Sequence, residues 1–230
     1  MLNIFSWRSV ELNHTIAQMP FWVGATWCTW RAVERGNLLW WIALGAVSAL
    51  GLYAKLSNAF LLIVIAGLLL STVRGRATLK TPGPWLVAIV FVILAAPIIR
   101  WLITAGFQPL AYAQTRSHEQ SRMATLLFPA NALLQALPMM LIFTASGLFS
   151  RGAVNCSNNK PARPERNTFL AFMATVPPLL SILKALADGS GLRASWVAPT
   201  QPLLPILLIS KFEARLTDDV LTRLQKIGFG

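Results

Sequence analysis

Lys55, in Tyr53-Ala54-Lys55-Leu56-Ser57-Asn58, stands between two apolar runs with almost no polar chain around it to keep an ammonium in water. An ammonium at that depth suits a phosphate, as on a lipid-linked donor, and equally suits a lysine whose stem snorkels to the head groups. Arg100, three residues after Pro97 and one before Trp101, carries the same two readings. Between Thr104 and Ala124, the residues Gln108, Tyr112, Gln114, Arg116, His118, Glu119, Gln120 and Arg122 bring together aromatic, amide and guanidinium groups. Such groups recognise sugars and pyrophosphates, although any solvated loop collects them. Glu119 beside His118 offers an acid and a base, but neighbours on a regular element face apart. Asn13 and His14, at the start of the first apolar run, are candidates for an outer cavity.

The remaining chemistry is sparse. The acids are Glu11, Glu34, Glu119, Glu165, Asp188, Glu213, Asp218 and Asp219, and no two form a pair at the outer end of an early helix. Cys28 lies in an apolar run and Cys156 in a basic loop, so neither a disulfide nor a metal or redox motif is expected. Asn131 and Gln135, four apart, read as glue between helices. No metal and no cofactor is expected.

The elements that must position these residues are set by composition. The 230 residues are 55% hydrophobic and 12% charged, too little polar surface to coat a water-soluble globule. Apolar runs fall at about 12–30, 38–54, 56–73, 84–103, 125–149, 168–187 and 194–210. Each is near the ~20 residues that a helix needs to cross ~30 Å of hydrocarbon. The expected fold is therefore all-α, a polytopic transmembrane helical bundle of six or seven spans. Pro199, Pro202 and Pro205 make the last run a broken or re-entrant helix. Trp30, Trp40, Trp41, Trp85, Trp101 and Trp196 stand near the ends of runs, where amphipathic rings meet head groups.

The net charge of +12 does not indicate nucleic-acid binding, because the basic residues lie between apolar runs and not on one water-exposed face. Their placement sorts the loops instead. Arg31, Arg35, Arg74, Arg76, Lys80, Arg151, Lys160, Arg163, Arg166, Lys211, Arg215, Arg223 and Lys226 form the richer set, thirteen in all. Arg8, Lys55, Arg100, Arg116, Arg122, Lys184 and Arg193 form the poorer set of seven. The richer set should be cytoplasmic, which puts Lys55 and the 104–124 loop outside. Residues 150–167 read as a basic cytoplasmic linker between a helical region at 1–149 and C-terminal helices at 168–210. In the tail, 211–230, Phe212, Leu216, Val220, Leu224 and Ile227 recur at helical spacing, the pattern of an amphipathic helix on the inner membrane surface or of a solvated tail with some helicity.

The stretch from Glu11 to Arg122 resembles GT-C membrane glycosyltransferases, the group of dolichyl-phosphate-mannose protein mannosyltransferases, aminoarabinose lipid A transferases and rhizobial galacturonosyltransferase-like proteins. The resemblance runs in order through Leu12-Asn13-His14, Arg31-Ala32-Val33, Trp40-Trp41, Gly45 and Gly51. It continues through Ala54-Lys55-Leu56-Ser57, Pro82-Gly83-Pro84-Trp85, Pro97, Trp101, Gly106-Phe107, Gln114 and Arg116. A weaker echo recurs at 191–199. The resemblance implies transfer of a sugar from a polyprenyl-phosphate donor to a lipid or protein acceptor on the outer face of the bacterial inner membrane. Lys55, Arg100 and Arg116 would then meet the donor phosphate, and Asn13, Tyr112, Gln114, His118 and Glu119 the sugar or acceptor. Family members carry a first helix and an outer loop with the catalytic acid ahead of the part matching Glu11, so the chain is expected to be N-terminally truncated and the catalytic residue is not assigned. A transporter or flippase subunit and a non-catalytic assembly protein are the alternatives; the former would show internal symmetry, and none is evident.

Overall fold

A computed structural model describes residues 14–118, 122–149, 164–191 and 198–229, and among them every regular element is helical. The first helix, α1, is His14–Arg35; α2 is Leu38–Ala54; a 3-10 turn at Leu56–Asn58 leads into α3, Ala59–Ser71. Then come α4, Val73–Thr78, α5, Gly83–Thr104, α6, Gln108–His118, α7, Arg122–Leu126, and α8, Phe128–Ala145. After the linker, α9 is Pro164–Ala187, a 3-10 turn at Ala198–Thr200 precedes α10, Leu203–Lys211, and α11 is Asp218–Phe229. Gly83–Thr104, Phe128–Ala145 and Pro164–Ala187 are long and apolar enough to cross a membrane, and Leu38–Ala54 and Leu56–Ser71 are apolar but shorter.

Helix α2 organises the N-terminal part. Its first turn is capped by the Asn37 side chain, which accepts from Leu39 N–H at 2.8 Å. Four contacts then fix how α5 lies on it. A Cβ at Gly83 would stand 2.4 Å from Trp41 Nε1, and one at Gly45 would stand 2.9 Å from both the Val87 carbonyl and Val90 Cβ. Near the other end Ala49, Leu52 and Ala95 bury together, and Tyr53 Oη donates to the Leu94 carbonyl at 2.9 Å. Residue numbers rise together along both helices, so α2 and α5 run parallel and α3 with α4 must bring the chain back between them. Glycine at 45 and 83 is what permits the approach, since a methyl at either would displace backbone or an indole.

The same reading gives the bundle two ends. At one end the Arg31 guanidinium lies 5.5 Å from the Trp40 ring centroid, Arg74 pairs with Glu165 at 2.6 Å, Arg166 pairs with Glu213, and Arg215 Nη1 donates to the Phe149 carbonyl. At the other, Lys55 donates to Thr15 and Thr125 Oγ1 donates to the Ser190 carbonyl. Arg31, Arg74, Arg166 and Arg215 thus stand toward one end and Lys55 at the other. Between them α5 presents Ile89, Val92, Ile93 and Ile103 more than half exposed, an apolar face suited to lipid.

Several expectations change in detail. The stretch 104–124, expected as a loop, contains α6 and the start of α7. Gly106 and Phe107 turn the chain at positive φ, 59° and 57°, and a new helix starts at Gln108. The prolines do break the last apolar run: α10 has nine residues, ~14 Å of helix, against ~30 Å of hydrocarbon. Trp41 is not at an interface but buried against Gly83, whereas Trp85 and Trp101 are exposed. The tail is helical at 218–229 as its periodicity indicates, but its apolar side packs on the bundle. Val220 is buried, and Phe212, Leu216 and Leu224 pack against the cluster of Ala136, Met139, Phe143 and Leu148; Ile227 stays exposed. The linker from 150 to 163 and Trp196 lie outside the described residues.

Candidate functional site

Lys55 is the residue between α2 and α3, and its surroundings follow from the turn that holds it. Its backbone N–H closes α2 on the Gly51 carbonyl at 3.0 Å, and its own carbonyl accepts from Asn58 N–H at 2.9 Å to form the 3-10 turn. Lys55 itself is extended, at φ −164° and ψ 130°, so α2 ends there and the ammonium is turned toward the start of α1. Nζ donates to Thr15 Oγ1 at 3.2 Å. Burial lowers the pKa of the half-buried ammonium from the ordinary lysine range. Among the described residues no carboxylate pairs with it.

Beneath Lys55 is a fully packed polar layer. Asn58 is completely buried and donates through Nδ2 to the Ser48 carbonyl at 2.9 Å. Gln18, also buried, is surrounded by donors that fix its amide: the oxygen accepts from Trp22 Nε1 at 2.9 Å and from Asn58 N–H at 3.2 Å. The Gln18 amide nitrogen is then left facing the Ser57 hydroxyl. Gly51 makes room for all of this, because a Cβ there would fall 2.2 Å from Asn58 Nδ2. Thr15, Gln18 and Trp22 are spaced by three and four residues, so one face of α1 supplies the layer. That face was the missed signal: these side chains, with Asn58, frame Lys55 although none of them stood out individually in the sequence. Thr26 and Thr29 on the same helix are spent on the carbonyls of Trp22 and Ala25.

Of the other candidates, Arg100 lies six residues beyond Leu94 on α5 and so at the same end of the bundle as Lys55, with its side chain exposed. Tyr112 and Gln114 are exposed on α6. Arg116 and His118 belong to the last turns of α6, and their side chains, like Asn13 and Glu119, lie outside the described residues. Of the acids expected outside, Glu11 is likewise outside them, and Asp188 is tied to Lys184. Among the described residues, the structure thus brings Lys55 together with Thr15, Gln18, Ser57 and Asn58.

Among the described residues the arrangement is a half-buried cation with no carboxylate partner, held between two apolar helices at one end of the bundle. A family model described as dolichyl-phosphate-mannose-protein mannosyltransferase matches residues 1–101, which include every residue of this site. Over that stretch the chain is similar to GT-C membrane glycosyltransferases, as Leu12-Asn13-His14 through Trp101 led us to expect, and the match supports a membrane glycosyltransferase of that type. No curated protein and no solved structure matches the chain.

Proposed function

We propose that the protein transfers a sugar from a polyprenyl-phosphate-linked donor to a lipid or protein acceptor on the outer face of the bacterial inner membrane, with Lys55 holding the donor phosphate. The observation that carries this reading is the ammonium itself. It is half-buried, anchored by one neutral hydroxyl, and faces no carboxylate among the described residues. A partly desolvated cation is costly, and a substrate phosphate would offset that cost. Arg100, at the same end, is placed to meet the second charge of the head group or the acceptor. The orientation rests on the surplus of Lys and Arg at the opposite end, by which Lys55 faces outward.

The test is transfer by the full chain in proteoliposomes loaded with polyprenyl-phosphate sugars. A hydrogen bond to a charged group is worth about 1.5–3 kcal/mol, so Lys55→Ala should weaken use of the donor roughly 10- to 150-fold. Its thermal stability should be unchanged or higher, since a buried charge is removed. Transfer that proceeds equally well in Lys55→Ala would remove the lysine from the donor site.

A further inference from the structure

The far end of α1 borders a separate half-open cavity of about 520 Å³. Its walls are Trp30, Leu69, Phe169 and Phe172, and Arg74 and Glu165 stand at its mouth. Trp30 is fifteen residues along α1 from Thr15, so this cavity lies ~22 Å from the Lys55 site, toward the opposite membrane surface. The volume falls within the ~300–1,000 Å³ of sites that take small molecules and is far too small for a helix of a partner protein. Apolar walls that open onto a charged rim fit an amphiphile.

The charged groups of the lining are Arg74, Glu34 and Glu165, and Arg31, Arg35 and Arg76 follow lining residues on α1 and α4. Arg31 and Glu34 stand 3.7 Å apart, a loose pair. The Arg74–Glu165 pair has both side chains more than half exposed, and such pairs contribute little stability, so a phosphate can take up Arg74 without dismantling the fold. We propose that this cavity holds an acyl chain of an anionic phospholipid of the surrounding leaflet, with the lipid phosphate on Arg74. The site is distinct from the donor site proposed at Lys55 and does not depend on it.

The experiment is thermal unfolding of the delipidated full chain in neutral detergent, titrated with phosphatidylglycerol, phosphatidylcholine or a polyprenyl phosphate. Phosphatidylglycerol should raise the unfolding temperature in a saturable way and phosphatidylcholine should not. Thr168→Trp, which plugs the cavity from an exposed position on its lining, and Arg74→Gln, at the rim, should each abolish the difference between the two lipids. Lys55→Ala should retain it, which separates failure here from failure of the donor site. Equal stabilisation by both phospholipids, or a phosphatidylglycerol effect that survives both cavity variants, would overturn the proposal. A rise given by polyprenyl phosphate alone and abolished by Thr168→Trp would also overturn it, by assigning the cavity to the donor.

Discussion

Gly51→Ala should disrupt the site from beneath the turn that carries Lys55. The new Cβ would stand 2.2 Å from Asn58 Nδ2, 2.5 Å from Cγ and 2.9 Å from Oδ1, all inside the closest approach that carbon tolerates. Asn58 has nowhere to move while it donates to the Ser48 carbonyl and sits fully buried. Relief requires the amide to leave its hydrogen bond or the 3-10 turn to lift away from α2. Overpacking costs about 1–3 kcal/mol and a lost buried hydrogen bond about 1 kcal/mol, so the loss should be roughly 2–4 kcal/mol. Since the turn carries Lys55, donor use should fall with it. The assay is a double-mutant cycle of equilibrium unfolding in detergent over Gly51→Ala, Asn58→Ala and the pair. Truncating Asn58 makes room for the methyl, so the double variant should be more stable than the sum of the single losses predicts, by about 1–3 kcal/mol. Simple additivity, or a Gly51→Ala protein as stable as the parent, would refute the packing described for this turn.

The pH dependence of donor use should reflect Lys55, whose ammonium titrates below the ordinary lysine range because it is half-buried. As pH rises through that lowered pKa the charge is lost and donor binding weakens, so KM for the donor should climb on the alkaline side; Lys55→Arg should shift that limb upward, and an unshifted limb would assign it to another group. The same sign gives a stability that rises with pH between the lowered folded pKa and the ordinary one, because the unfolded chain binds the proton more tightly there. At the other end, Val220→Asp should release α11 from Phe143 and Leu148, seen as rapid proteolysis after Arg223 or Lys226, with a loss of about 2–4 kcal/mol from burying an unpaired carboxylate.

Much of this architecture was legible in the sequence because lipid imposes long-range order on composition. The run 38–54 coincides with α2, and 84–103 differs from α5 by one residue at each end, since helix length and apolar run are set by the same hydrocarbon thickness. The Pro-rich run was readable as broken for a local reason, the missing donors of Pro199, Pro202 and Pro205. The tail was legible only in part: its periodicity gave the helix, but periodicity cannot say whether the apolar stripe meets lipid or protein, and here Phe143 and Leu148 occupy it. For the site, the odd position of Lys55 between two apolar runs was visible, whereas its setting was not. Gln18 and Asn58 are forty residues apart, and only the antiparallel return of α2 along α1 brings them within reach.

That return also explains why glycines mark this part of the chain. Besides α1, helix α2 must satisfy α5, which runs beside it in parallel, and the 3-10 turn, which folds back over its last residues. Gly45 and Gly83 serve the first contact and Gly51 the second. Along α2 the distance from Trp41, held by Gly83, to Gly51 is ten residues or ~15 Å, so the register of α5 at one end fixes where the turn sits at the other. A substitution that slid α5 along α2 would therefore move Leu94 and Arg100 relative to Tyr53 and Lys55. The spacing of the two cations at this end is therefore set by the α2–α5 contact along its whole length, from Gly83 and Gly45 to the Tyr53–Leu94 hydrogen bond.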